Sequence, residues 1–182
     1  RYPPPLPDDE LSANMQLMIE ERLERSGYIN YETSAFACPG YKSKHNLNYW
    51  LFGDYLGIGA GAHSKISFAD RIVRQVRYKN PKEYLLKEIV GMNSPNALLQ
   101  EQHEVSKNDR WFEFLMNALR LTDGFEIALL QERTGLSITG IQQQLNEAEQ
   151  RGLIIRSHSH MAPTLTGKRF LNDLLQIFLP EK

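Results

Sequence analysis

His45-Asn46-Leu47-Asn48-Tyr49-Trp50, followed closely by Leu56-Gly57-Ile58-Gly59-Ala60-Gly61-Ala62-His63-Ser64, is the stretch on which the reading of this chain turns. It sets an imidazole beside two large aromatic side chains and then a glycine-rich turn. Imidazole is a good ligand for iron, and Tyr and Trp offer flat apolar faces with a polar edge. Glycines without Cβ let main-chain N–H groups come close to a phosphate, carboxylate or ribose. Together these features have the character of a cofactor surface. The Gly57, Gly59, Gly61 spacing alone is weak, because it does not complete the G-x-G-x-x-G pattern of dinucleotide folds.

Upstream, Pro3, Pro4, Pro5 and Pro7 make a stiff lead-in. Asp8 or Asp9 then caps a helix that carries Leu11, Met15, Met18, Ile19 and Leu23 at helical spacing, with Gly27 placed to end it. Ile29 to Ala37 reads as a strand, broken by Pro39-Gly40; Tyr41 to Trp50 reads as a loop, and Tyr55 to Ile58 as a short strand entering the glycine turn. Helix followed by strand is the rhythm of an α/β barrel. Downstream, Asn80-Pro81 starts a helix running through Ile89. Residues 92–107 are polar and read as a linker or a loosely packed helix. Helices are expected at 109–122, 125–134 and 138–151, strands at 153–156 and 161–164, and a closing helix at 166–179. Three helices and then a small hairpin is the order of a winged helix. The expected fold class is therefore α/β: the tail of a partial TIM-like barrel (1–75), a helical linker (76–107), and a mostly helical, winged-helix-like C-terminal domain (108–182).

The run Tyr31-Glu32-Thr33-Ser34-Ala35-Phe36-Ala37, then Pro39-Gly40-Tyr41, His45-Asn46-x-x-Tyr49-Trp50 and Gly53 to His63, resembles the radical SAM family of oxygen-independent coproporphyrinogen III oxidases. It is most similar to the HemW branch, the haem chaperones. Phe112-Glu113-Phe114, Leu119-Arg120-Leu121 and Gly167-x-x-Phe170-Leu171-Asn172 resemble the C-terminal domain of that branch. The resemblance implies haem binding and delivery to recipient haemoproteins, with His45 as axial iron ligand, Asn46 orienting the loop, and Tyr49 and Trp50 lining the porphyrin. It implies an S-adenosyl-L-methionine site near Gly57, Gly59, Gly61 and His63. It also implies a [4Fe–4S] cluster held by three cysteines. Thiolates are the usual cluster ligands, and this chain has one cysteine, Cys38, so the cluster loop is expected upstream of residue 1 and the chain is read as a C-terminal piece. The alternative activity is oxidative decarboxylation of coproporphyrinogen III to protoporphyrinogen IX. No catalytic residue is assigned within these residues.

Rival readings are set by the same residues. Cys38-Pro39 offers a thiolate to haem iron, and Glu32 offers a carboxylate to a cofactor; inert packing and a bond to backbone are the plainer readings of the two. Lys65 to Lys87 holds seven basic residues (Lys65, Arg71, Arg74, Arg77, Lys79, Lys82, Lys87) against Asp70 and Glu83. Such a run fits a solvated face, haem propionates, or peripheral contact with anionic lipid. Over 182 residues the formal net charge is −1, which implies no attraction to bulk polyanions. The 138–151 helix presents Gln142, Gln143, Gln144, Glu147, Glu149 and Gln150 with only Arg151 basic, so nucleic acid is not an expected partner. There is no run of 18 apolar residues, and one cysteine fits a reducing cytoplasm.

Overall fold

A computed structural model of the chain describes residues 5–90 and 96–180. Helix α1 spans Asp9–Arg25, and Asp8 caps it by accepting from the Leu11 N–H at 2.8 Å. Gly27 follows at φ +82°, the left-handed stop that its position predicts. The segment expected as one strand is a hairpin instead: β1 (Ile29–Glu32) turns at Thr33-Ser34 into β2 (Ala35–Ala37). Cys38-Pro39-Gly40-Tyr41 then reverses the chain, with Gly40 at φ +85° and the Tyr41 N–H on the Cys38 carbonyl.

The expected loop at 41–50 is also a correction. Lys44–Trp50 is helix α2, started by Ser43, whose hydroxyl accepts from the Asn46 N–H. Its seven residues carry no long apolar period, so the cap is the only local sign of it. Strands β3 (His63–Ser67) and β4 (Ile72–Arg77) pair antiparallel, and β5 (Leu99–Glu104) adds to the far side of β4. Residues 99–104 are therefore strand, where a linker or loose helix was expected; residues 91–95 lie outside the described residues. Between β4 and β5 runs α3 (Pro81–Val90), capped by Asn80.

The remainder is α4 (Lys107–Ala118), β6 (Phe125–Glu126), α5 (Ile127–Thr134), a 3-10 turn at 138–141, α6 (Gln142–Gln150), β7 (Ile154–Arg156), β8 (His160–Pro163), α7 (Leu165–Arg169) and α8 (Leu171–Gln176). Strands β6, β8 and β7 form an antiparallel sheet with β8 central. The helix expected at 166–179 is broken at Phe170, and that at 138–151 opens as a 3-10 turn where Gly140 sits against the Trp111 ring.

One core joins these parts. Phe114, Leu115 and Leu119 of α4 and its end pack with Leu130, Leu145, Met161 and Leu174. Phe52, just after α2, and Ile72 of β4 enter the same cluster. The Phe52 and Phe114 rings meet edge to face at 5.7 Å. Phe52 has φ +56°, a strained value for a residue with a side chain. Burial of its ring and a hydrogen bond from the Lys65 ammonium to its carbonyl (3.0 Å) hold it there.

Candidate functional site

The motif His45-Asn46-x-x-Tyr49-Trp50 is two i,i+4 pairs on one short helix, and the pairs face different neighbours. Asn46 and Trp50 turn toward the protein. The Asn46 amide donates to the Tyr31 hydroxyl at 3.3 Å, tying α2 to β1. The Trp50 indole lies under the Arg120 guanidinium, 4.4 Å from its ring centroid. Around this contact, among the described residues, Glu32 Oε2, Trp50 Nε1 and Arg120 Nε are buried without a hydrogen-bond partner. Glu32 is backbone-bridged to Leu121, so the three atoms belong to one neighbourhood. Lys42, before the helix, pairs with Asp123 at 3.1 Å.

His45 and Tyr49 form the other pair. His45 is exposed, and its ring meets that of Tyr49 edge to face at 5.0 Å. Tyr49 leans on Tyr55 at 4.6 Å. The Tyr55 hydroxyl accepts from Arg74 Nη1 at 2.7 Å, and Arg74 also donates to Glu113 Oε2 through Nε (3.2 Å) and Nη2 (2.5 Å). Both members of that ion pair are about four-fifths buried, with side chains 20% and 21% exposed. Tyr55, Arg74 and Glu113 are neighbours of the candidate site that the sequence does not single out; nothing local to any of them signals that β4 and α4 bring them together.

The glycine turn is closed largely on itself. A Cβ on Gly57 would fall 2.2 Å from the His63 carbonyl oxygen, so only glycine fits. The Gly57 N–H donates to the Ser64 hydroxyl (2.9 Å) and its carbonyl accepts from Arg77 Nε (2.9 Å). The Gly61 N–H donates to the Tyr78 carbonyl. Gly59 lies at φ +103° with open space where a Cβ would stand. His63 is exposed at the start of β3. Leu56 and Ile58 stand out from the turn, 75% and 89% exposed. Tyr55 links the turn to α2: its backbone pairs with that of Lys65 while its ring meets Tyr49.

The basic run does not form one solvated face. Lys65 is buried, with Nζ 2.9 Å from Asp54 Oδ1, 3.0 Å from the Ser67 hydroxyl and 4.1 Å from the Phe52 ring centroid. Burial holds the Lys65 ammonium below its ordinary pKa, partly offset by Asp54. Arg74 is paired and Arg77 holds the glycine turn, which leaves Arg71 and Lys79 exposed at the two ends of β4 and Lys82 and Lys87 exposed on α3. Cys38 is half-buried with a free thiol. The one cysteine does not fit a three-thiolate cluster, and among the described residues no group of three His, Cys, Asp or Glu side chains is gathered as for a metal ion. No described helix is long and apolar enough to cross a membrane.

Comparison with known proteins places this architecture. Residues 105–170 match the HemN C-terminal domain. A solved structure of coproporphyrinogen III oxidase (HemN) from Escherichia coli, described as a radical SAM enzyme, superposes with a TM-score of 0.66 over 95% of this chain and 42% of that one, at 15% identity. The fold is thus an α/β arrangement like that of the HemN C-terminal region. Among curated relatives, the heme chaperone HemW of Haemophilus influenzae is 41% identical over 181 residues. Those of Escherichia coli and Bacillus subtilis are 40% and 33% identical over 180 and 177 residues. The alignments take in 97–99% of this chain and 45% of each relative, so the chain spans somewhat under half the length of these proteins. This chain belongs to the radical SAM family as a HemW-type member.

Proposed function

We propose that this chain carries the haem-contacting part of a haem-delivery protein, with haem as cargo rather than as a resident cofactor. The observation that carries this is the position of His45: an exposed imidazole on a helix whose neighbouring face is pinned to β1 and to Arg120. A neutral imidazole is a good axial donor, and a ligand on a fixed helix costs less ordering on binding than one on a free loop. Tyr49 supplies aromatic surface beside it. Asn46 and Trp50 hold the helix through Tyr31 and Arg120, and Trp50, expected to line the porphyrin, faces Arg120 rather than the His45 side. The curated relatives named as heme chaperones support the same reading.

The barrel tail expected over residues 1–75 does not fit the described strands, since β1 to β4 pair antiparallel where the strands of a TIM-like barrel run parallel. Residues 76–107 lend β5 to the β3–β4 sheet, and in this picture 108–182 form a winged-helix-like unit. An S-adenosyl-L-methionine site at the glycine turn would draw on Gly59, His63 and the exposed Leu56 and Ile58, since the Gly57 and Gly61 N–H groups are engaged internally. Recipient haemoproteins would take the haem from the exposed His45 side.

The test is a haem titration followed by Soret absorbance on the protein and on His45→Ala, Cys38→Ser and His63→Ala. The expected result is loss of affinity and a changed spectrum in His45→Ala alone. Wild-type behaviour of His45→Ala, with loss in one of the others, moves the site to that residue.

A further inference from the structure

We propose that Arg74 is a positioning residue for the His45 imidazole, acting through Tyr55 and Tyr49; this rests on the reading of His45 as the iron ligand. No hydrogen bond from a described residue reaches the His45 ring nitrogens, so hydrogen bonding does not fix the direction in which the ring points. Iron-ligating histidines are commonly oriented by a partner on the nitrogen away from the metal, and losing such a partner typically weakens metal binding by about 10–100-fold. Here aromatic contacts stand in that place.

The arrangement is anchored at the far end. Arg74 sits on β4, and its planar fork spends Nε and Nη2 on Glu113 of α4 and Nη1 on the Tyr55 hydroxyl. With the ion pair mostly buried, the guanidinium has little freedom to turn, and it fixes the Tyr55 ring by its hydroxyl. Tyr55 is fixed at its other end by backbone bonds to Lys65, 3.0 Å in each direction. Tyr49 packs on this immobile ring at 4.6 Å, and its own ring meets the edge of His45 at 5.0 Å. Five side chains thus run from a helix of the HemN C-terminal domain to an exposed imidazole. A lysine at 74 could not span both Glu113 and Tyr55, because its single ammonium lacks the fork.

The experiment has a haem arm and a haem-free arm. In the haem arm, Arg74→Gln and Tyr55→Phe are titrated with haem beside His45→Ala. Tyr55→Phe keeps the ring and removes only the acceptor, so it serves where Arg74→Gln disturbs folding. Each is expected to weaken binding about tenfold and to alter the Soret band. The double variant is expected to be no worse than either single one, because both break the same link. Arg74→Lys is expected to recover only part of the loss.

In the haem-free arm, the His45 ring proton is followed by NMR. Arg74→Gln and Tyr55→Phe are expected to shift it, as Tyr49 loses its fixed place. An unmoved signal in both variants overturns the positioning role whatever haem does. Wild-type affinity and spectrum in folded Arg74→Gln and Tyr55→Phe overturn it too. Wild-type haem binding by His45→Ala overturns instead the assignment of the ligand, and the NMR arm then decides the positioning by itself.

Discussion

Asn46 and Trp50 point into the protein, meeting Tyr31 and Arg120, while His45 and Tyr49, one position back on the same helix, look toward solvent and a single aromatic neighbour. The two pairs share a backbone and differ in everything around them. The first makes α2 a fixed part of the fold. The second leaves a metal-capable ring available on that fixed part. A six-residue motif can therefore hold both an anchor and a ligand, because i,i+4 spacing on a helix separates them onto adjacent faces. If this division holds, substitutions on the anchored side change stability first, and those on the open side change binding first.

The largest stability effect is expected just beyond the helix. Lys65→Ala removes the ammonium that meets the Phe52 carbonyl, Asp54 and Ser67, and leaves those groups without it. Unfolding in urea is expected to show a loss of about 3 kcal/mol, the scale for losing the hydrogen bonds of a buried charged group. A loss under about 1 kcal/mol would show that Phe52 keeps its left-handed backbone unaided. Trp50→Ala is expected next, at about 2 kcal/mol, less than a fully buried Trp because the ring is only half-buried. Haem affinity falls with it, since α2 loses its seat on Arg120.

Asn46→Ala is expected to lower stability by about 1 kcal/mol, the worth of its hydrogen bond to Tyr31. The smallest effect is in acid. Burial tends to raise the Asp54 pKa, but hydrogen bonds from Lys65 and Ser67 and the Lys65 charge outweigh it, so the carboxyl lies below its ordinary 3.8. Its folded-state pKa is depressed, so its contribution is present above about pH 3.8 and is lost as pH falls through the lower folded value. Wild type and Asp54→Asn are therefore expected to differ in stability at pH 7, by under about 1 kcal/mol given the partial exposure, and to converge below pH 3.8. A gap that does not narrow as pH falls below 3.8 would assign the difference to shape rather than charge.

The parts of the fold that were legible in the sequence carried a period or a cap. Helix α1 showed both, in Leu11, Met15, Met18 and Ile19 after Asp8, and residues 138–151 showed a cap at Ser137 and an apolar stripe in Ile141, Leu145 and Ala148. Helix α2 was missed because seven residues hold too few turns for a period, and only Ser43 announced it. Strand β5 was missed for another reason. Leu99-Gln100-Glu101-Gln102-His103-Glu104 is an edge strand with one apolar residue, and its place is set by the ladder to β4 rather than by burial. The basic run hid β3 and β4, since counting charge says nothing about which lysine is inside. At the site, the four motif residues were legible as a group. Their division into two faces was not, because it needed the helix, and Arg74 and Glu113 needed a contact across 39 positions of sequence.

The central claim is tested most directly by one variant measured two ways: His45→Ala, with urea unfolding and haem titration on the same preparation. Unfolding free energy is expected within about 0.5 kcal/mol of wild type, as for an exposed side chain, together with haem affinity lowered at least about tenfold and a changed Soret band. Wild-type haem affinity and spectrum in that variant, or a stability loss as large as that of Trp50→Ala, would contradict the division of α2 into an anchored face and a ligand face.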